Sequence, residues 1–180
     1  VELFWRFGQR SVPRNTAQLF SDDPRTDEAV STLLLIRKLL RRFPFWMQGH
    51  QRLAEISLLL DDVGTAYAAA QCLLEGSGED MRLRGEAYLL LGRSFLRRGD
   101  WRSSLASLEQ AEKLLPQDAT VSEEQAAAHM AAGNNTHALR ILQGIPASDR
   151  TPAGQAALDF LRTSTHSPPL GAESPLHVQK

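Results

Sequence analysis

Apolar residues recur along this chain at three- and four-residue spacing, in blocks separated by short polar or Gly/Pro breaks. No stretch alternates apolar and polar residues between hairpin-type turns, so the pattern predicts helices and no strands. The first helix is expected over residues 26–42, with Thr26 as N-cap, Asp27 and Glu28 in the first turn, Arg41 and Arg42 in the last, and Pro44 beyond. Four more are expected near residues 46–60, 65–74, 80–97 and 101–115. "SEEQ" at 122–125 reads as a capping box for a sixth, and "NNTHALRILQGIP" gives a seventh ended by Gly144 and Pro146. Thr151 followed by Pro152 starts an eighth that reaches about Arg162. Ahead of these helices, residues 1–25 form a leader that holds Leu3, Phe4, Trp5 and Phe7 and is interrupted by Pro13 and Pro24. Behind them, residues 163–180 are rich in Pro and Ser, poor in apolar residues, and are expected to be disordered.

The helical blocks repeat. Three units align on a pair of residues, a turn and a small residue. They are Leu53 and Ala54, Asp61 and Asp62, then Ala66; Leu91 and Gly92, Gly99 and Asp100, then Ser104; and Gln125 and Ala126, Gly133 and Asn134, then Ala138. The second interval is 34 residues and the first 38, and the four extra residues are assigned to the loop "EGSGED", residues 75–80. Gly92 sits inside a leucine run, where glycine costs about 1 kcal/mol relative to alanine. A hairpin in which two antiparallel helices touch at small residues offsets that cost. Gly92 is expected to face Ser104, Ala54 to face Ala66, and Ala126 to face Ala138. Leu91, Phe95, Leu105 and Leu108 would fill the flanks, each contributing roughly 1.5–3 kcal/mol when buried.

Nine spaced positions in the middle unit carry a further signal: Tyr88, Leu91, Gly92, Phe95, Trp101, Ser104, Leu108, Ala111 and Pro116. With the 34-residue period they resemble the tetratricopeptide repeat (TPR), with Tyr88 in place of the usual tryptophan and Ser104 in place of the usual alanine. The strong match covers residues 85–118. Degenerate units lie at about 47–78, where His50 and Ser57 stand in for signature aromatics, and at about 119–150, which has His129. The resemblance implies an all-α fold over residues 26–162, in which antiparallel helix–turn–helix repeats stack as a short right-handed α-solenoid. The eighth helix suits a C-terminal cap, with Ala157, Leu158 and Leu161 inward and Gln155, Asp159 and Arg162 outward.

The resemblance also implies a non-catalytic protein–protein interaction module, a scaffold or adaptor whose first helices line a concave face. Carried over by spacing, that face would hold Gln48, Gln51, Glu55, Leu58 and Leu59 in the first unit. Glu86, Leu89, Arg93, Leu96 and Arg97 follow in the second, and Glu123, Ala127, Met130 and Ala131 in the third. Leu58, Leu89, Leu96 and Met130 would make an apolar floor beside Arg93 and Arg97, suited to a peptide or helix with an apolar stripe and an acidic group. The lysine and asparagine clamp with which some family members grip a chaperone's C-terminal carboxylate is not recognisable, because those places hold Gln51, Glu55, Leu89 and Arg93. The alternative is a regulatory or substrate-positioning segment of a larger enzyme or of an envelope or secretion assembly. The start at Val1 and the lack of a polar N-terminal cap speak for it.

Composition narrows the classes further. With 42% hydrophobic and 23% charged residues the chain is ordinary globular protein, and its formal net charge of -1 offers no field for nucleic acid or an anionic bilayer. The cluster Arg37, Lys38, Arg41 and Arg42 reads as a solvated helix face with favourable C-terminal charge, with contact to an acidic partner or lipid as the alternative. The aromatics of residues 3–7 are expected to pack on the first hairpin or to continue an element further upstream, with a membrane-interface anchor as the minority reading. Cys72 excludes an intrachain disulfide and is expected to be a buried small hydrophobe beside Ala69, Leu73 and Leu74. His50, His129, His137, His166 and His177 show no ligand spacing, so neither a metal nor another cofactor is expected. Asp22 with Asp23, and Asp61 with Asp62, read as helix-end carboxylates, and no catalytic residue is assigned. No apolar run has the length of a membrane span. A cytoplasmic location is the expectation, with periplasmic and membrane-peripheral ones as alternatives, and self-association through an end hairpin is left open.

Overall fold

The computed structural model describes residues 24–166, and every regular element among them is a helix. In order these are α1 (Pro24–Arg42), α2 (Met47–Leu59), α3 (Val63–Gly76), α4 (Met81–Arg97), α5 (Trp101–Leu114), α6 (Ala119–Ala131), α7 (Asn135–Gly144) and α8 (Pro152–His166). The leader and tail assigned from sequence lie almost wholly outside the described residues. Pro24 opens α1, at a position where its missing N–H removes no helical bond, so Thr26 lies within the helix rather than capping it.

One turn is built three times. Asp61, Gly99 and Gly133 all have positive φ, at 58°, 78° and 79°. The next residue in each case returns its N–H to a carbonyl five positions back: Asp62 to Ser57 at 2.8 Å, Asp100 to Phe95 at 3.0 Å, and Asn134 to His129 at 2.8 Å. The left-handed residue itself bonds three back, to Leu58, Leu96 and Met130 respectively. Together these bonds satisfy the last carbonyls of α2, α4 and α6 in the same Schellman geometry, which reverses the chain in three residues. Asp62 and Asp100 then cap the following helices by accepting from the N–H of Thr65 and Ser103, both at 3.1 Å. Asn134 occupies the same place without a side-chain cap bond.

Helices α4 and α5 approach closely, and two buried glycines explain how. A Cβ on Gly92 would lie 2.7 Å from Leu108 Cγ and 3.5 Å from the Ser104 carbonyl oxygen. One on Gly85 would lie 2.6 Å from Leu115 Cγ. Seven residues apart, the two glycines form a single smooth strip along α4 into which α5 sets its leucines. The expected register is therefore present, but Gly92 makes room for Leu108 more than for Ser104. Ala54, Ala66, Ala126 and Ala138, at the matching places in the flanking hairpins, are fully buried.

The 38-residue interval has a different origin from the one expected. The connections α3–α4 and α5–α6 are equally long, residues 77–80 and 115–118. The extra residues lie in α4, which has 17 residues against 13 in both α2 and α6. Four residues add about one helical turn, so the faces of α4 stay in phase with those of its neighbours. A second boundary also differs. Asp118 caps α6 by accepting from the Thr120 N–H at 2.8 Å, so Ser122 and Gln125 lie inside the helix and form no capping box.

Each helix packs on its chain neighbours, and α2 and α6 each also touch α4 directly. The molecule is thus a row of hairpins whose first helices form one layer and whose second helices form another. The core runs through that row: Leu53, Leu58, Leu73, Leu90 and Leu91 toward the N-terminal side, Leu89, Leu108, Val121 and Ala128 in the middle, and Leu142, Ile145, Leu158 and Leu161 at the C-terminal side. On α8, Ala157, Leu158 and Leu161 are buried, while Asp159 and Arg162 are exposed and Gln155 is partly so. Cys72 corrects the sequence reading. It is exposed, because Ala66, Ala69, Ala70 and Leu73 take the inward face of α3 and leave Ala68, Gln71 and Cys72 outside.

Candidate functional site

The layer formed by α2, α4 and α6 holds the residues assigned to the concave face, and the structure sorts them into three groups. The first is core. Leu58 and Leu89 are only 7% and 8% exposed, so they offer no surface to a partner. Their burial follows from the direct contacts of α2 and α6 with α4, which the hairpin spacing alone does not reveal. Leu96 is partly buried against the cluster that holds Leu89, and Met130 against the C-terminal one, whereas Leu59 projects at 64% exposure. The continuous apolar floor expected from sequence is therefore broken.

The second group is engaged in ion pairs that tie one unit to the next. Arg93 on α4 donates to Glu124 on α6 at 2.8 Å, with side-chain exposures of 30% and 20%. Arg97 donates to Asp61 in the α2–α3 turn at 3.1 Å. Neither partner was assigned from sequence. A signal was there: Arg93 and Glu124 are 31 residues apart, three short of the 34-residue period, which places them on facing turns of neighbouring first helices. Glu123, one residue away, turns to the other side of α6. It accepts from the N–H of Thr151 at 2.7 Å and from the Thr151 hydroxyl at 2.6 Å, which fixes the start of α8. Gly154 leaves room for that carboxylate, since a Cβ there would collide with it. Glu123 is thus a structural latch and no part of an open face.

The third group faces outward with local partners. Gln51 donates to Glu55 at 3.2 Å, Arg52 donates to the other oxygen of Glu55 at 2.7 Å, and Arg82 donates to Glu86 at 3.1 Å. Gln48 and Ala131 are exposed and Ala127 partly so. Beside this layer, Arg37 on α1 bonds Asp62 at 3.2 Å and the Thr65 hydroxyl at 2.8 Å. Hydrogen bonds from Thr65, with Arg37 close by, hold the Asp62 carboxyl below the usual carboxylate range.

The signature residues of the middle unit serve the hairpin rather than the face. Leu91, Ser104, Leu108 and Ala111 are buried, Tyr88 and Phe95 partly so, and Pro116 lies exposed just past the end of α5. Phe95 meets Tyr67 edge-on with centroids 5.4 Å apart, and Arg102 lies over the Trp101 ring at 4.6 Å. The only histidine pair in contact among the described residues is His129 with His137, ring centroids 4.3 Å apart. Among the described residues no group of three or more His, Cys, Asp and Glu could hold a metal ion, and no helix is long and apolar enough to cross a membrane.

No protein-family model matches the chain, and no curated protein matches it. Among solved structures it resembles the crystal structure of a thermophilic TPR protein of Thermus thermophilus, with a TM-score of 0.60 and 22% sequence identity. The match covers 83% of this chain and 79% of that one. The likeness is one of fold: the eight helices among the described residues form a TPR-like helical-repeat arrangement.

Proposed function

We propose that this chain is a non-catalytic protein–protein interaction module, a right-handed TPR-like solenoid that docks a peptide or helix on the layer formed by α2, α4 and α6. The observation that carries this reading is the pair of ion bridges Arg97–Asp61 and Arg93–Glu124. They tie neighbouring units together beside Gln51, Glu55, Leu59, Glu86, Leu96 and Met130, which we assign to one face. A pre-set surface lowers the ordering cost of binding. The partner brings an apolar stripe for Leu59, Leu96 and Met130, and an acidic group that exchanges with Glu124 or Asp61 for an arginine. Such an exchange swaps one half-exposed pair for another, so it shapes specificity more than affinity.

The test is site-specific photo-crosslinking in the native host. A crosslinking residue placed at Gln51, Glu86 or Met130 is expected to capture the same partner, and one placed at Gln71 or Gln110 on the second helices to capture none. Capture at Gln71 and Gln110 alone would move the site to the opposite layer and defeat the reading.

A further inference from the structure

Helix α1 packs on α2, with Leu33, Ile36 and Leu40 turned into the N-terminal core cluster. Arg37 on one flank is fastened to Asp62 and Thr65 at the start of α3. At about 100° per residue, the side opposite the buried stripe runs between Leu34 and Leu35, which are 59% and 57% exposed. Val30, at 41%, widens this apolar centre. Along the same outer side, Asp27 and Glu28 stand near the N-terminal end, Ser31 and Lys38 flank the leucines, and Arg41 and Arg42 close the last turn, all of them exposed. Among the described residues no ion pair within the chain engages Asp27, Glu28, Lys38, Arg41 or Arg42. The outer face of α1 is therefore ordered: acidic, apolar, basic, over about 22 Å of helix.

Such a face complements itself when run backwards. We propose that it is a homodimer interface, in which the α1 of a second copy lies antiparallel across it about a two-fold axis at the level between Leu34 and Leu35. Each leucine then meets its own counterpart. Residues equally far from that level come side by side, which sets Asp27 and Glu28 beside the second copy's Arg41 and Arg42, at both ends at once. Ser31 lies opposite the second copy's Lys38. A parallel copy would put acid on acid and base on base. An anionic bilayer would attract the basic end and repel the acidic end of the same face. A foreign helix would need the same order of groups in reverse, which α1 already carries. One helix face falls short of the ~800 Å² per partner of a standard interface, so the dimer is reversible and the single chain, with this face bare, prevails at low concentration. None of these residues belongs to the α2, α4 and α6 layer, so the two proposals stand or fall separately.

Sedimentation of the full chain between about 1 and about 300 μM is expected to show a monomer passing into a dimer. Leu35→Glu is expected to stay monomeric throughout, with helical circular dichroism unchanged. Asp27→Arg with Glu28→Arg makes the face basic at both ends, and Arg41→Glu with Arg42→Glu makes it acidic at both ends. Each reversed chain alone is expected to self-associate about tenfold more weakly or worse. Mixed together, the two are expected to pair at least as tightly as the unaltered chain, a rescue that misfolded variants cannot give. Cross-linking tests the direction. In a Cys72→Ser chain, Leu34→Cys is expected to link two copies on mild oxidation, while Ser31→Cys, whose two copies stand roughly 10 Å apart along the helices, is not. A monomer over the whole range, a dimer that survives Leu35→Glu, reversed chains that do not pair when mixed, or equal cross-linking at both positions would each overturn the proposal. A chain that stays monomeric yet co-sediments with anionic vesicles would give the face to a lipid surface instead.

Discussion

At the C-terminal end of the array, Glu123 fastens the first residues of α8 through two hydrogen bonds, and α8 lays Ala157, Leu158 and Leu161 onto the core. At the N-terminal end, α1 buries Leu33, Ile36 and Leu40 but leaves Leu34, Leu35 and Phe43 more than half exposed, at 59%, 57% and 54%. Both helices have apolar residues in abundance, so hydrophobicity does not separate them. What differs is the number of faces in use. A hairpin in a solenoid always leaves one face for the next unit, and an end is finished only when its last helix has a polar outer side or a cover. Helix α8 exposes Asp159, Arg162, Thr163 and Ser164 beside Phe160; α1 has a second apolar stripe instead.

The comparison is broken most forcefully in the α8 core. Leu158 is fully buried, so Leu158→Ala is expected to cost about 2–5 kcal/mol in urea unfolding, the range for large-to-small changes in a closed core. Leu34→Ala, on the exposed flank of α1, is expected to change stability by no more than about 0.5 kcal/mol. Similar losses for both would show that the two ends are equally closed. Next in size is the joint between them. Gly92→Leu forces a side chain into Leu108 and is expected to destabilise by about 1–3 kcal/mol. Because repeats are coupled mainly to their neighbours, it should also broaden the thermal transition, as the two halves of the array begin to melt separately. A melting curve superimposable on that of the unaltered chain would count against this packing.

The latch is the third test. Glu123→Ala removes both acceptors of Thr151 and is expected to cost about 1–2 kcal/mol, toward the low side for charge-assisted bonds because the site is partly open to water. Hydrogen exchange should then rise in α8 and not in α1. Uniform exchange along the chain would mean that Glu123 supports the fold in general rather than the C-terminal end.

The features legible in the sequence are the short-range ones. The existence of the helices and the turns at Asp61–Asp62, Gly99–Asp100 and Gly133–Asn134 depend on residues within a few positions of one another, so composition and spacing expose them, although the left-handed residue of the first turn, Asp61, did not show itself. What escaped depends on contacts between units. Leu58 and Leu89 look like surface residues on a single hairpin and become core only because α2 and α6 touch α4. Glu123, Glu124 and Asp61 find partners 28, 31 and 36 residues away, at distances set by how hairpins stack. The four extra residues were misplaced because "EGSGED" has loop composition, yet a whole helical turn can be inserted without rotating a face. Cys72 shows the converse error: alanines beside it fill the inward face of α3 and leave no place for the thiol.

The smallest effect concerns pH and lies in the hairpin next to the closed end. His129 on α6 meets His137 of α7 with the rings tilted at 54°, and its Nδ1 is buried without a hydrogen-bond partner. Burial first, and the neighbouring His137 second, hold the His129 pKa below its ordinary value of 6.5, while Glu109 on α5 pulls the other way. A histidine that is harder to protonate in the folded state than in the unfolded one leaves stability unaffected at pH values above both pKa values. As pH falls through 6.5 toward the lowered folded value, the unfolded chain takes up more protons and stability declines. Lowering the pH from about 7.5 to about 5.5 should therefore reduce the urea midpoint, and His129→Gln should lessen that reduction. The window stays above the carboxylate range, where the depressed Asp62 and Asp100 would add acid sensitivity of their own. His137→Gln removes only the charge of the neighbour and should recover a smaller part of the loss than His129→Gln does. If it recovers as much or more, the neighbouring ring outweighs burial as the cause of the lowered His129 pKa.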